Sequence, residues 1–151
     1  MMMILGVDPG LVSGAWALID HHGQYRTSGS IPHADRRISA RAWRQTLLDA
    51  IAGQDVITAL ESVHSMPGQG VASTFAFGRA VGAIEAVLGL LPTGVTWVEP
   101  RVWKRVMGVT SDKSTSLALA RSLWPEAPLA RVKDHGVAEA LLLAEYLRRS
   151  R

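Results

Sequence analysis

Apolar residues are arranged along the chain in two patterns, short continuous runs and longer stretches with helical spacing. Short apolar or β-branched runs predict strands at 2–8, 14–20, 25–31, 55–62 and 95–98. Recurrence at three and four residues predicts helices at 39–52, 71–91, 100–107, 112–124 and 133–149. A Gly-containing turn at 21–24 separates the second and third runs, so the first three strands are predicted to form a meander.

The order of these elements predicts an α/β fold. Three meander strands precede alternating helices and strands, an order typical of a mixed sheet with helices on its faces. We expect five strands, the meander and two more. The 151 residues, 48% of them hydrophobic and 19% charged, contain no repeat or linker and fit a single domain over residues 1–151.

Composition narrows the possible chemistry. The net charge of +3 is mild and comes mostly from Arg, which suits phosphate recognition but also solubility alone. The absence of Cys excludes disulfides and thiolate metal sites, so any metal needs oxygen or imidazole ligands. The apolar N-terminal run is too short to span a membrane, and no cationic segment precedes it. We therefore expect a cytoplasmic protein without a membrane partner.

Two of the predicted strands end in a carboxylate, Asp8 after the first and Glu61 after the fourth. Alone, Asp8 before Pro-Gly fits a turn, and Glu61 fits an exposed strand end. If the two strands are neighbours, both acids lie at the carboxyl edge of the sheet, where open α/β sheets bind ligands. Adjacent carboxylates repel each other unless a cation neutralises them, and oxygen ligands favour Mg²⁺ or Mn²⁺.

The last predicted helix supplies further polar candidates in an otherwise apolar segment. Glu139 is expected to point inward near the start of the helix or to lie at its rim. Asp134 fits an N-cap, the ordinary role of an acid at that position. His135 lies four residues before Glu139 and shares its face, although a partly exposed polar residue is an equally ordinary interpretation.

Five segments carry a resemblance to a known family. They read ILGVDPGLVSGAWALID, ALESVHSMPGQGVASTFAFGRAVGAIEAVL, VEPRVWKRVMG, DKSTSLALARSLWP and KDHGVAEALLLAEYL. In this order and spacing, the chain resembles the RuvC-type Holliday junction resolvases of the ribonuclease H-like superfamily over nearly its whole length. It looks closest to the shorter RuvC-like endonucleases of bacteriophages and prophages. The resemblance implies a ribonuclease H-like fold and a bacterial or phage-infected bacterial cytoplasm.

The resemblance also implies a set of metal ligands. Asp8, Glu61 and Glu139 match family acids that bind two Mg²⁺ ions, for which Mn²⁺ is expected to substitute. Cellular members usually carry an acid or His three residues before the last acid, where this chain has Gly136. Either Asp134 or His135 takes this role, or the role is lost. We expect Asp134 to act as a further ligand and His135 to act as a general base or phosphate contact.

The implied activity is phosphodiester hydrolysis by two metal ions roughly 4 Å apart, one activating water and the other stabilising the leaving oxygen. Asp8 is expected to bridge the ions, and the products are expected to carry 5′-phosphate and 3′-hydroxyl ends. The expected substrate is a four-way junction or other branched DNA. Two alternatives remain, a ribonuclease H-type nuclease acting on RNA–DNA hybrids and a module that binds branched DNA without cutting it. Gly136 is the one feature that favours the binding module.

Candidate DNA contacts lie in two segments. In the family, the segment after the second acid inserts into the branch point, and Met66, Gln69 and Phe75 are the candidates by position. Arg79 in the same segment adds positive charge for a phosphate path. Core packing is the alternative for Phe75. The second set consists of cations suited to backbone phosphates, Arg101, Lys104, Arg105 and Lys113.

The apolar stripe of the helix at 71–91 fits either a core helix or a dimer interface. The resemblance favours a homodimer, since two strands must be cut symmetrically.

Overall fold

A computed structural model of the protein describes residues 1–151. The strands are β1 (Met2–Asp8), β2 (Ala15–Asp20), β3 (Tyr25–Ser30), β4 (His33–Ala34), β5 (Arg37–Ile38), β6 (Asp55–Glu61) and β7 (Thr93–Val98). The helices are α1 (Ala40–Ile51), α2 (Val71–Gly89), α3 (Pro100–Met107), α4 (Lys113–Leu123) and α5 (His135–Arg149). A short 3-10 turn (Val132–Asp134) leads into α5.

The main sheet has five strands in the order β3-β2-β1-β6-β7. β1, β2 and β3 pair antiparallel, whereas β6 runs parallel to both β1 and β7. The predicted α/β fold, a mixed five-stranded sheet with helices on its faces, is therefore confirmed. Asp8 is paired with Ala15, and Val7 with Leu60, so Asp8 and Glu61 end neighbouring strands at one edge.

Successive side chains of β1 point to opposite faces of the sheet, and each face has its own hydrophobic core. Leu5 and Val7 pack with residues of α1 and α2, whereas Ile4 packs with residues of α3, α4 and α5. Gly6 and Asp8 belong to the same face as Ile4, because side chains two residues apart on a strand point the same way. The end of β1 therefore presents Asp8 on the side of the sheet that α5 covers.

The contact of α5 with β1 has no room for a side chain at Gly6. A Cβ atom there would overlap the carbonyl oxygen of Ala140 and would lie 2.9 Å from the backbone nitrogen of Ala144. The facing positions on α5 are themselves alanines, and both are completely buried. Small residues on both sides thus allow the helix backbone to approach the strand backbone directly.

One element of the fold was not predicted from the sequence, the hairpin formed by β4 and β5. Its strands have two residues each, too few to show a periodic pattern. The two turn residues, Asp35 and Arg36, have positive φ angles of 51° and 59°, a conformation usually marked in a sequence by Asn-Gly or Asp-Gly. The helix predicted from 133 begins at His135, because the 3-10 turn precedes it.

One face of α2 is left uncovered by the rest of the chain. By length and composition alone this helix is apolar enough to cross a membrane, yet only 28% of its most apolar window is buried. Ile84 and Leu88 pack into the core, while Phe75 is 68% exposed. Extra Cβ atoms at Gly78 and Gly82 would meet no atom within 4 Å. The sheet therefore covers only part of an apolar helix.

We predict that Gly6→Ala destabilises the protein by about 3 kcal/mol or more, because α5 must move away from β1 to admit the methyl group. Urea unfolding measured by circular dichroism checks this. Gly94→Ala is the matched control, since Gly94 is an exposed strand residue with open space around its Cβ position. A Gly6→Ala protein as stable as this control would contradict the close approach described above.

Candidate active site

Three carboxylates meet at the edge of the sheet where β1 and β6 end. Asp8 closes β1, Glu61 closes β6 and Glu139 lies in the first half of α5. One carboxylate oxygen of each lies within 4.8 Å of the other two. Glu61 and Glu139 are buried, each about 7% exposed, and Asp8 is half-buried, so the cluster is partly open to solvent. The register of the sheet and the packing of α5 on β1 bring the three side chains together.

Burial and neighbouring negative charge raise the proton affinity of two of the carboxylates, Asp8 and Glu61. Burial raises the pKa of Asp8 well above its ordinary value, and the charges of Glu61 and Glu139 raise it further. Burial also raises the pKa of Glu61. Lys104 and Lys113 act on both groups in the opposite direction, so they lie close enough for their charge to reach the cluster. A cation at this position would relieve the repulsion.

The indole of Trp103 holds Glu61 in place. Trp103 is completely buried, and its Nε1 donates a hydrogen bond of 2.7 Å to Oε2 of Glu61. This bond lowers the pKa of Glu61, against the effect of burial. The sequence analysis did not identify Trp103 as a residue that orients a site carboxylate. A buried indole N–H needs an acceptor, and that requirement is the signal that could have found the contact.

Asp134 lies outside the carboxylate cluster. It is buried and accepts hydrogen bonds from the backbone nitrogen and the guanidinium of Arg131, both at 2.8 Å. The bond from Arg131 lowers the pKa of Asp134. Its side chain caps the 3-10 turn and makes no cap bond to α5. The expected role of Asp134 as a metal ligand stays a prediction, and it would require release from Arg131.

Gly136 faces the cluster without contributing to it. A Cβ atom on Gly136 would lie 3.7 Å from Oδ2 of Asp8 and 2.9 Å from the carbonyl oxygen of Ser13. The position three residues before Glu139 therefore points to the site, but the loop after β1 fills the space a side chain would need. His135, the neighbour of Gly136, is half-buried, and its Nδ1 is buried without a hydrogen-bond partner.

The candidate contacts after Glu61 lie on the loop and the first turns of α2. Met66 and Phe75 are 71% and 68% exposed, so Phe75 is not a core residue. Gln69 accepts a bond from the backbone of Met66 and donates one to Ser73. Arg79 lies over the ring of Phe75, with 5.5 Å between its guanidinium carbon and the ring centroid.

The second set of candidate contacts lies on α3 and at the start of α4. Arg101, Arg105 and Lys113 are exposed, and Lys104 is half-buried with its ammonium 5.6 Å from the Trp103 ring. Arg101, Lys104 and Arg105 line one groove. None of these cations takes part in an ion pair within the protein. They are therefore free to meet an anionic partner.

The sequence matches no family profile and no curated protein. Its fold does match solved structures. Thermus thermophilus RuvC in complex with a Holliday junction substrate aligns with a TM-score of 0.73 at 15% identity, over 99% of this chain and 96% of that one. A second Thermus thermophilus RuvC structure aligns at 0.69 and 18% identity, over 99% of this chain and 97% of that one. The fowlpox virus Holliday junction resolvase aligns at 0.61 and 13% identity, over 99% of both chains.

These likenesses establish a class of fold. The chain has the ribonuclease H-like fold in the form found in RuvC and in the poxvirus resolvase, over its whole length. The resemblance in the sequence and the likeness in three dimensions therefore agree. The expected closeness to bacteriophage members stays a prediction, since the aligned structures are from a bacterium and an animal virus.

We predict that Asp8→Asn stabilises the metal-free protein at neutral pH. A carboxyl whose pKa is raised by folding takes up its proton first in the folded chain, so ionised Asp8 destabilises the fold at neutral pH. This penalty fades as the pH falls through the folded pKa toward the ordinary value of 3.8. The variant should therefore have a higher Tm than the wild type at neutral pH and a nearly equal one in acid.

Thermal melts in EDTA over this pH range measure the difference. Asp49→Asn removes a negative charge from an exposed residue of α1 and serves as the control. Equal Tm values for the wild type and Asp8→Asn at every pH would show that burial and the neighbouring carboxylates do not destabilise ionised Asp8 as described.

Proposed function

We propose that this protein is a metal-dependent, structure-selective DNA endonuclease that resolves Holliday junctions or other branched DNA. The observation that carries the proposal is the cluster of Asp8, Glu61 and Glu139, with oxygens within 4.8 Å of one another. The cluster lies on a fold shared with two resolvases, one of them solved with a Holliday junction. The sheet edge that holds it also carries unpaired cations suited to a phosphate backbone.

The donor set fits hard divalent cations. All three groups are carboxylates, and Mg²⁺ prefers oxygen ligands and keeps several positions for water and phosphate. Burial, and after it the charges of Glu61 and Glu139, raise the pKa of Asp8, and a bound cation would offset both effects. We propose two Mg²⁺ ions per site, with Mn²⁺ as a substitute, for which Asp8, Glu61 and Glu139 would be the ligands. Such ions activate water and stabilise the leaving oxygen in phosphodiester hydrolysis, with 5′-phosphate and 3′-hydroxyl products.

The surrounding residues have defined tasks in this proposal. Trp103 fixes the orientation of Glu61, which matters because a small displacement of a ligand carries over to the metal. Lys104 and Lys113 lie where a phosphate bound at the cluster would meet positive charge. His135 lines the cleft beside Asp134 and Gly136, which supports its proposed role as a base or a phosphate contact.

We also propose that the protein acts as a homodimer built on the uncovered face of α2. A dimer with a two-fold axis has two equivalent active sites, so it can cut two strands symmetrically. Gly78 and Gly82 are exposed, one turn apart, and have open space above them, so a second helix can approach closely. The expected setting is the cytoplasm of a bacterium or of a phage-infected bacterium, as the resemblance implies.

Cleavage of a labelled four-way junction tests the proposed activity. We expect symmetric nicks in Mg²⁺ or Mn²⁺, none in EDTA, and a loss of about a thousandfold in Asp8→Asn and Glu139→Gln, since each removes a carboxylate ligand. Binding of the junction should persist in both variants. Glu126→Gln changes an exposed carboxylate in the segment after α4 and should cut normally. End analysis of the products should find 5′-phosphates.

Other substrates in the same assay separate the alternatives. Preferential cutting of an RNA–DNA hybrid would indicate a ribonuclease H-type nuclease, which needs contacts to the 2′-hydroxyl. Equal cutting of a replication fork would broaden the substrate to branched DNA in general. Strong junction binding without any cutting would identify a binding module. The presence of Gly136, where cellular members carry an acid or His, would then explain the missing activity.

We predict that Gly82→Arg converts the dimer into a monomer. The new side chain meets no atom within 4 Å of its Cβ in the single chain, and Arg favours a helix more than Gly does. The fold should therefore remain intact while close approach of a second α2 is blocked. Light scattering after gel filtration measures the mass, and Glu126→Gln again serves as the control. A dimeric Gly82→Arg protein would place the interface elsewhere.

A further inference from the structure

We propose that the hairpin of β4 and β5, together with Arg79 of α2, forms a second phosphate-binding surface that holds one duplex arm of the DNA beside the carboxylate cluster. Arg36 and Arg37 on the hairpin are its main contacts. This inference rests on the proposed function, because it takes branched DNA as the partner. It assigns a role to an element that neither the sequence patterns nor the metal chemistry accounts for.

The hairpin starts at the same edge of the sheet as the carboxylates. Ser30, the last residue of β3, pairs with Ala15, which in turn pairs with Asp8. These three residues form one row across strands spaced about 4.8 Å apart, so β3 ends roughly 10 Å from Asp8. The hairpin follows three residues later, whereas α3 follows the opposite edge strand, β7. The hairpin and the cluster therefore share one edge of the sheet, although the hairpin packs on the face of α1 and α2 and Asp8 lies on the face of α5.

Contacts with α2 fix the position of the hairpin. The guanidinium of Arg79 donates a hydrogen bond of 3.2 Å to the backbone carbonyl oxygen of Arg36. Ile38 at the end of β5 packs against the core beneath α1 and α2. Arg79 also lies over the ring of Phe75, so the hairpin, Arg79 and the exposed Phe75 form one continuous surface.

The surface carries an excess of unpaired positive charge. Arg36, Arg37 and Arg79 are exposed, and no ion pair in the protein includes any of them. Arg41 and Arg44 on the adjoining α1 are also exposed and unpaired. Such a group of like charges repels itself in the free protein. Guanidinium groups bind phosphate oxygens through paired hydrogen bonds, and a DNA duplex carries one charge per about 1.7 Å of its axis.

Arg36, in the turn of the hairpin, has a strained backbone conformation. Arg36 has a φ of 59°, in the left-handed region where Gly is the ordinary residue at the second position of a two-residue turn. A non-Gly residue in this conformation is strained, and strained residues cluster at functional sites in proteins. Gly would form this turn more readily, but it would not place a guanidinium at the tip.

A substitution in the turn therefore tests the proposal, because it should raise or preserve thermal stability while it weakens DNA binding. Arg36→Gly relieves the backbone and removes the charge, so we expect a Tm equal to or above that of the wild type. The same variant should bind a four-way junction about three- to tenfold more weakly. The slope of log Kd against log salt concentration should fall by about one for each phosphate that the variant no longer binds. Binding is measured in EDTA, so that no DNA is cut.

Two further variants keep the result open to refutation. Arg37→Gln should weaken binding in the same way without changing the turn residues. Arg151→Gln removes an exposed charge beyond the far end of α5, away from the cluster, and should leave both Kd and the salt slope unchanged. If all three variants weaken binding equally, the effect is one of net charge alone and the hairpin has no specific role.

The outcomes also separate this inference from the function on which it rests. A wild-type protein that cuts junctions while Arg36→Gly and Arg37→Gln bind them as tightly as the wild type, with unchanged salt slopes, would overturn the hairpin surface alone. A wild-type protein that neither binds nor cuts branched DNA would overturn the proposed function, and the hairpin surface with it.

Discussion

The close packing of α5 on β1 is the contact on which the rest of the site depends. Because Gly6 has no side chain, the backbone of α5 at Ala140 and Ala144 lies directly against the strand. Glu139 precedes Ala140 on the helix, and Asp8 follows Gly6 by two residues on the same face of the sheet. One contact between small residues therefore fixes the separation of two carboxylates that are far apart in the sequence. Glu61 joins them through the register of β6 with β1.

The site is held together against its own electrostatics. Three carboxylates of like charge are brought into a partly buried space, which raises the pKa of Asp8 and of Glu61. The indole N–H of Trp103 and the charges of Lys104 and Lys113 offset part of this repulsion. Since the apolar cores on both faces of the sheet supply the stability, the edge can remain electrostatically unfavourable and ready for cations.

Several of these features could be predicted from the sequence, because the determinants are local. The strand runs that end at Asp8 and Glu61 show as continuous apolar segments, and parallel neighbours bring their ends together. The hairpin of β4 and β5 could not be predicted, because strands of two residues are too short to show a hydrophobic period. Its turn also has Arg36 where Gly is expected. The bond from Trp103 to Glu61 and the pairing of Asp134 with Arg131 depend on how distant or irregular segments pack, and no residue pattern specifies that packing.

The site draws on residues near both ends of the described chain, and this has a consequence for biosynthesis. Asp8 and Glu61 leave the ribosome early, and β1 can pair with β2 and β6 long before α5 exists. At translation rates of about 10 residues per second, more than 10 s pass between the synthesis of Asp8 and that of Glu139. During that interval the groove above Gly6 is uncovered and the carboxylate set is incomplete. Any chemistry that needs all three acids is therefore withheld from the nascent chain until α5 docks.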